Sequence, residues 1–335
     1  MSKQLRYFLF VLNSLTIQVN AQDIHWSQFN DNQIFQNPGN AGDFKGDYRI
    51  IANYRDQWRS VSVPFQTISF SGDTHYKKNN KVGIGALLFN DVSGDGKFRT
   101  VEFQSNFSYL LKIKADSTHT IRPGINIGVN HRQVNFDQFS FDNQFVNNEY
   151  DPSSPSFESF QNHKKTNFSL GLGAVYQYWI TDRKKINAGI GIFNINRPNQ
   201  GFYTEKVQRD IRTSLFIKGI YKINDDWDIL PSISFQTQGK YKELIFGSSA
   251  KYTLIDKLGT YRAVYFGGWF RNKDAGYLSV GLDNQNWFCG LSYDFNVSKL
   301  VPASNFRGGF ELAARYIIHR FKPKKITHRA CPDYI

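Results

Sequence analysis

The side chains best able to do chemistry in this 335-residue chain are seven histidines, two cysteines and 28 carboxylates, and their spacing argues against catalysis. His25, His75, His119, His131, His163, His319 and His328 include no i, i+4 pair of the kind that holds a metal from one helix face. Cys289 and Cys331 form no CxxC and lie too far apart to suggest a disulfide framework. Asp91 and Asp95, with Gly94 between and Gly96 after, loosely resemble a calcium loop. That loop needs a bidentate acid near its end, which is missing, so a polar turn is predicted. The glycine-rich stretches 171–176 and 189–193 fall inside strand patterns. They suit crowded interior positions, since a phosphate cradle belongs at a strand-to-helix turn. No acid pair, triad or activated nucleophile stands out. The sequence therefore predicts no enzyme, no catalytic residue, no metal site and no cofactor.

The polar residues that carry information share a parity. Glu102, Arg122, Arg132, Arg212, Lys218, Glu243, Lys251, Arg262, Glu311 and Arg315 fall opposite the apolar residues of their segments. In a closed barrel that face lines a lumen, where both signs of charge can brace the wall or a plug. An anion-selective pore is the alternative.

The elements that must position these residues follow from composition and periodicity. With 30 Phe and 18 Tyr beside 26 Gly, the chain favours strands over helix interiors. Beyond the first twenty residues no apolar run is long enough for a transmembrane helix, and mean hydropathy is −0.47. Apolar residues instead alternate with polar or small ones. Val101, Phe103, Phe107, Tyr109, Leu111 and Ile113 share one face, and Thr100, Glu102, Gln104, Asn106, Ser108 and Lys112 the other. The same rhythm marks 47–56, 65–76, 81–90, 98–113, 118–132, 167–180, 184–195, 210–223, 226–238, 242–254, 259–271, 275–283, 286–297 and 308–321. About fourteen strands of this length fit an all-β, transmembrane antiparallel β-barrel better than a soluble sandwich.

The links add a second argument. Those after even-numbered strands are short, whereas 57–64, 90–97, 133–166, 196–209 and 298–307 on the other side are longer, although 239–241 and 272–274 there are also short, and this is the outer-membrane asymmetry. Tyr48, Trp58, Tyr109, Tyr178, Trp179, Tyr221, Trp227, Tyr252, Tyr261, Trp269, Tyr277, Trp287 and Tyr316 sit near segment ends, where aromatic girdles form.

Lys3 and Arg6 ahead of the apolar stretch 7–17, with Val19 and Ala21 spaced two apart, read as a secretory signal peptide over 1–21. Residues 22–46 then form a periplasmic lead-in or a plug, 47–321 the barrel and 322–335 a periplasmic tail. The formal charge of +13 is spread along the chain without a basic stripe, so nucleic acid is not an expected partner. Outer-membrane lipid is.

Several motifs together resemble one family. Gln22-Asp23-Ile24-His25-Trp26-Ser27-Gln28-Phe29, Asn37-Pro38, Ala41-Gly42, Tyr48-Arg49, Tyr54-Arg55-Asp56-Gln57-Trp58, Arg197-Pro198-Asn199-Gln200 and Cys331-Pro332 are similar to the PorP/SprF family of Bacteroidetes outer-membrane proteins. The resemblance implies a barrel of the long-chain fatty-acid-transporter type that works with the type IX secretion machinery. It further implies docking, export or retention at the cell surface of a secreted, adhesin-like protein through that protein's C-terminal domain, as in gliding. Phe145, Tyr150, Phe157, Phe160, Arg197, Asn199, Phe202 and Tyr203, on the outer links, are the candidate contacts. A porin or transporter for a small solute or apolar ligand, and a soluble secreted β-protein, are the rival readings.

Overall fold

The computed structural model describes residues 24–320, apart from 60–62, 77–80, 95, 114–117, 137–138, 147–148, 156, 158–162, 203–205, 258 and 299–300. The expected signal peptide and the tail 322–335 lie outside the described residues.

Alternation drives the fold: each segment with period two becomes one long strand. The fourteen are Tyr48–Gln57 (β1), Phe65–His75 (β2), Val82–Ser93 (β3), Phe98–Tyr109 (β4), His119–Gln133 (β5), Lys164–Thr181 (β6) and Lys184–Phe193 (β7) in the first half. Arg212–Lys222 (β8), Trp227–Gln238 (β9), Tyr241–Lys257 (β10), Thr260–Arg271 (β11), Ala275–Asn284 (β12), Trp287–Asn296 (β13) and Arg307–Ile318 (β14) complete them. A two-residue extension, Leu111–Lys112, continues β4 against β5. Each strand pairs antiparallel with its sequence neighbours. The ring closes because β1 pairs with β14, from Tyr48 opposite Ile318 to Gln57 opposite Gly309. The protein is thus a closed antiparallel barrel with no free edge among these strands, the condition for crossing a bilayer with strands.

Parity sorts the side chains as the sequence implies. Phe103, Phe107 and Tyr109 of β4 are exposed on the outer surface, while Glu102, Gln104, Asn106 and Ser108 are buried inside. The outward band continues through Phe70, Ile125, Leu172, Ile217, Phe266 and Leu278. At the short-turn end, which is periplasmic in outer-membrane barrels, outward aromatics pair across strands. Trp287 lies 4.2 Å from Tyr316 and Trp227 lies 4.8 Å from Tyr252, measured between ring centroids. The girdle is smaller than expected, however. Trp179, Tyr261, Trp269 and Tyr277 occupy inward positions, where Trp269 donates to Ser279 at 3.0 Å and the other three rings meet lumen cations. Lys185 sits 4.3 Å over the Trp179 ring and Lys251 sits 5.2 Å over that of Tyr261.

Residues 24–46 run inside the barrel. Three short helical turns, Phe29–Asp31, Gln33–Gln36 and Pro38–Asn40, bury Trp26, Phe29, Ile34, Phe35 and Ala41. In places the backbone of this inner segment comes so close to the wall that only glycine fits there. A Cβ on Gly124 would stand 2.5 Å from the Gly39 nitrogen, and one on Gly83 would stand 2.0 Å from the Ala41 carbonyl oxygen. Gly124→Val should therefore dislodge residues 37–40 at a cost of about 1–3 kcal/mol, the usual range for overpacking. The check is protease nicking of the inner segment in barrels that still migrate as folded on unheated gels, with wild type protected.

Candidate functional site: the lumen and its inner segment

Three layers of polar contacts hold the inner segment to the wall. In the outermost, Glu311 of β14 is fully buried and accepts the Ser27 and Gln28 backbone N–H groups at 2.7 and 2.9 Å. Arg55 of β1 spans Glu311 at 2.9 Å and Asp294 of β13 at 2.8 Å, and also donates to the Ser27 hydroxyl. Arg271 of β11 reaches Asp294 at 3.2 Å, Asp274 at 2.9 Å and Glu243 of β10 at 3.4 Å. Tyr277 donates to the Ser27 carbonyl at 2.7 Å. Six strands and the segment thus share one network, in which every charge has a counter-charge and added hydrogen bonds, the condition for burial.

In the middle layer, the Arg212 guanidinium is sandwiched between Phe35 and Phe193, 4.1 Å from each ring centroid, and donates to the Phe35 carbonyl at 3.2 Å. Desolvated cation–π contacts of this kind reach about 2 kcal/mol. Asn37 donates to the Ala174 carbonyl at 3.2 Å and caps its own turn by accepting from Gly39 N–H at 2.8 Å. At the short-turn end, Arg49 pairs with Asp73 at 2.7 Å and donates to Gln33 at 2.7 Å and the Asn40 carbonyl at 3.1 Å. Asp73 also accepts from Gly42 N–H at 2.7 Å.

The segment has a direction. Ile24 and His25 lie beside Gln57, Trp58 and Tyr241 at the outer mouth. Gly42 lies against Thr74 and His75, and Gly46 against Ile317 and His319, at the opposite end. The chain descends the lumen before it enters β1.

The ten charged residues expected in the lumen separate into groups. Glu311, Glu243 and Arg212 join the contacts above. Glu102 is buried and holds Arg209 of the 194–211 link at 2.9 Å and Asn130 at 2.8 Å. Lys251 meets Asp228 at 3.3 Å, which also takes Arg183 at 2.8 Å. Arg315 lies 3.6 Å from Asp31 and 3.7 Å from Asp283, and Arg122 is buried with Ser108 at 3.4 Å. Arg132, at the outer end of β5, contacts Gln200 and covers Phe98 at 4.6 Å. Lys218 faces a cavity described below. Arg262 does not belong: it is exposed on the outward face and donates to Asn284 at 3.1 Å. It follows Tyr261 at the short-turn rim of β11, where a guanidinium can reach headgroup depth, and so lines no pore.

On the outer links, Phe145 and Tyr150 pair across a two-residue hairpin with rings 5.5 Å apart, and Phe157 is 81% exposed. Phe202 packs edge-on against Phe98 at 6.2 Å. Asn199 accepts from the Gly201 and Val207 N–H groups, and Arg197 lies 3.6 Å from Asp210. Phe160 and Tyr203 lie outside the described residues.

Sequence reasoning missed Arg49, Arg55, Asp73, Arg271 and Asp294. Their inward parity was visible. What pairs them is the inner segment and strands far away in the chain, which no local pattern displays.

Among known proteins, the family model for the type IX secretion system membrane protein PorP/SprF matches residues 18–316. In fold, the chain is similar to the toluene transporter TbuX of Ralstonia pickettii, at 10% identity and a TM-score of 0.51 over 86% of this chain and 94% of that one. It is also similar to the monoaromatic hydrocarbon channel CymD, at 8% identity and 0.51 over 87% and 93%. The toluene transporter TodX of Pseudomonas putida matches at 10% identity and 0.50 over 88% and 94%. Such identities establish a shared barrel architecture and nothing of ligand. No curated protein matches the chain in sequence.

Two outcomes test the network. Glu311→Ala leaves two backbone N–H groups buried without their acceptor and Arg55 with Asp294 alone of its two carboxylates, and should cost about 3–5 kcal/mol of segment docking. Hydrogen exchange at residues 24–30 should accelerate while barrel strands stay protected. His25 gives a pH dependence. Burial, reinforced by Arg271 and Arg55, holds its imidazole well below the ordinary 6.5. The released segment binds that proton more readily, so this contribution is complete above about pH 6.5 and is lost as pH falls below it. Protection of residues 24–30, taken relative to the intrinsic exchange rate at each pH, should fall on acidification from about pH 7.5 to about pH 5.5, and His25→Gln should flatten the fall.

Proposed function

The chain belongs to the PorP/SprF family of type IX secretion system membrane proteins, and from that premise we propose that it works as a non-enzymatic docking barrel in the outer membrane. Its outer links engage a secreted surface protein through that protein's C-terminal domain, and its short-turn side meets the secretion machinery.

The observation that carries this reading is the interlocked lumen. Residues 24–28 are bonded to β1, β11, β12, β13 and β14 at the outer mouth, so the outer end of the lumen is committed to holding the segment. The outer links are the surface left to work with. They rise from a firm base: Arg209 is tied to Glu102, Phe202 to Phe98, and Arg132 to Gln200. Above that base, Phe145, Tyr150 and Phe157 offer exposed aromatic surface of the type that anchors protein partners. A partner seated there is retained without passing through this lumen.

Deleting 145–161 tests the proposal, because the excision stops short of β6 at Lys164. The barrel should still show folded mobility on unheated gels, and the secreted partner should shift from the cell surface to the medium. Unchanged surface display with a folded deletion barrel would overturn the role of this link.

A further inference from the structure

Below the outer network, on the short-turn side of Ser27 and Tyr277, the lumen retains a cavity of about 320 Å³ between the inner segment and β7–β14. That is within the range of small-molecule sites. Its polar lining is incomplete in a specific way. The side-chain oxygens of Asn187, only 7% exposed, and of Asn30 accept no hydrogen bond. The Lys218 ammonium has no carboxylate or carbonyl partner among the described residues, and its nearest aromatic contact is the Phe216 ring at 5.3 Å. Lys185 beside it rests on Trp179. Two acids share the cavity, Asp31 at 3.6 Å from Arg315 and Asp43, which accepts from the Gln177 amide at 2.5 Å, so Lys185, Lys218 and Arg315 outnumber the carboxylates around them. Trp269 and Phe288 supply an aromatic wall.

The surplus of positive charge calls for an anion, unused amide oxygens call for N–H or O–H donors, and the aromatic wall calls for an apolar face. We propose that this cavity is a binding site for a small organic anion with both features, the chemistry of an N-acylated amino acid. Lys218 and Lys185 hold the carboxylate, Asn187 and Asn30 accept from the ligand's donors, and Trp269 and Phe288 cover its side chain. The outer network roofs the site, and Lys185 and Arg315 lie near the short-turn ends of β7 and β14, so the ligand comes from the periplasm. The inference is independent of the seating of a secreted partner, which uses the outer links.

Equilibrium dialysis of the detergent-solubilised full chain tests it, with N-acetylphenylalanine, its carboxamide and inorganic phosphate as probes. The acid should bind saturably at one per chain, with the carboxamide at least about tenfold weaker. Phosphate, lacking the apolar face, should also bind more weakly than the acid. Lys218→Met should weaken the acid about tenfold and leave the carboxamide unchanged, and Asn187→Leu should weaken both. Absence of saturable binding, equal binding of acid and carboxamide, or undiminished binding of the acid by Lys218→Met would overturn the proposal. Should either variant lose folded gel mobility, the wild-type comparison of acid with carboxamide decides.

Discussion

Hydrocarbon offers no hydrogen bonds, so every backbone N–H and C=O that crosses it must find a partner within the protein. For this chain the requirement is met at one seam, where β1 lies against β14 over the whole of Tyr48–Gln57. Once the ring is closed, period-two alternation has only two destinations, lipid and lumen. That division explains a composition that looks wrong for a membrane protein. Mean hydropathy is negative because one residue in two along each strand faces a polar interior and because the outer links are polar.

A polar interior then creates its own demand. Arg49, Arg55 and Arg271 are almost without solvent contact, and guanidinium groups cannot be left there alone. The wall supplies Asp73, Asp294, Glu243 and Glu311, and the inner segment supplies backbone N–H groups, carbonyls and the Ser27 hydroxyl. The segment and the charged wall are therefore mutually required. The same reasoning accounts for much of the basic charge: the cations are spent along the strands on interior partners, and they form no stripe for a polyanion.

Fourteen strands were legible because each carries its own alternation over a length that few soluble strands reach. Boundaries moved by a few residues, as at β6 and β10, which extend beyond the expected segments. What stayed hidden depends on distance or on position along the barrel axis. Ser27 and Glu311 are separated by 284 residues, and periodicity within a ten-residue window cannot see such a pair. Arg262 was misassigned because a charge in a strand suggests the lumen, yet near a rim the outward face also tolerates charge. Trp269 and Tyr277 look like girdle residues by type and proximity to a strand end, and only parity separates them from it. The motifs that carry the family likeness prove to be structural: Ser27-Gln28, Asn37-Pro38, Ala41-Gly42, Arg49 and Arg55 are the residues that join segment to wall. What they preserve is an internal fit, and the partner-facing links lie elsewhere.

The course of the inner segment has a bearing on how the molecule comes into being. Its leading residues end up at the far mouth from β1, and the two strands that meet last in sequence terms, first and fourteenth, contribute Arg55 and Glu311 to its grip. A cylinder that sealed itself empty would bring a cation and an anion together with no Ser27 between them, and would then have to admit a folded peptide through a mouth flanked by long links. Biogenesis is simpler if the hoop is drawn shut around a peptide already laid along its inner face, so that sealing and stuffing are a single event.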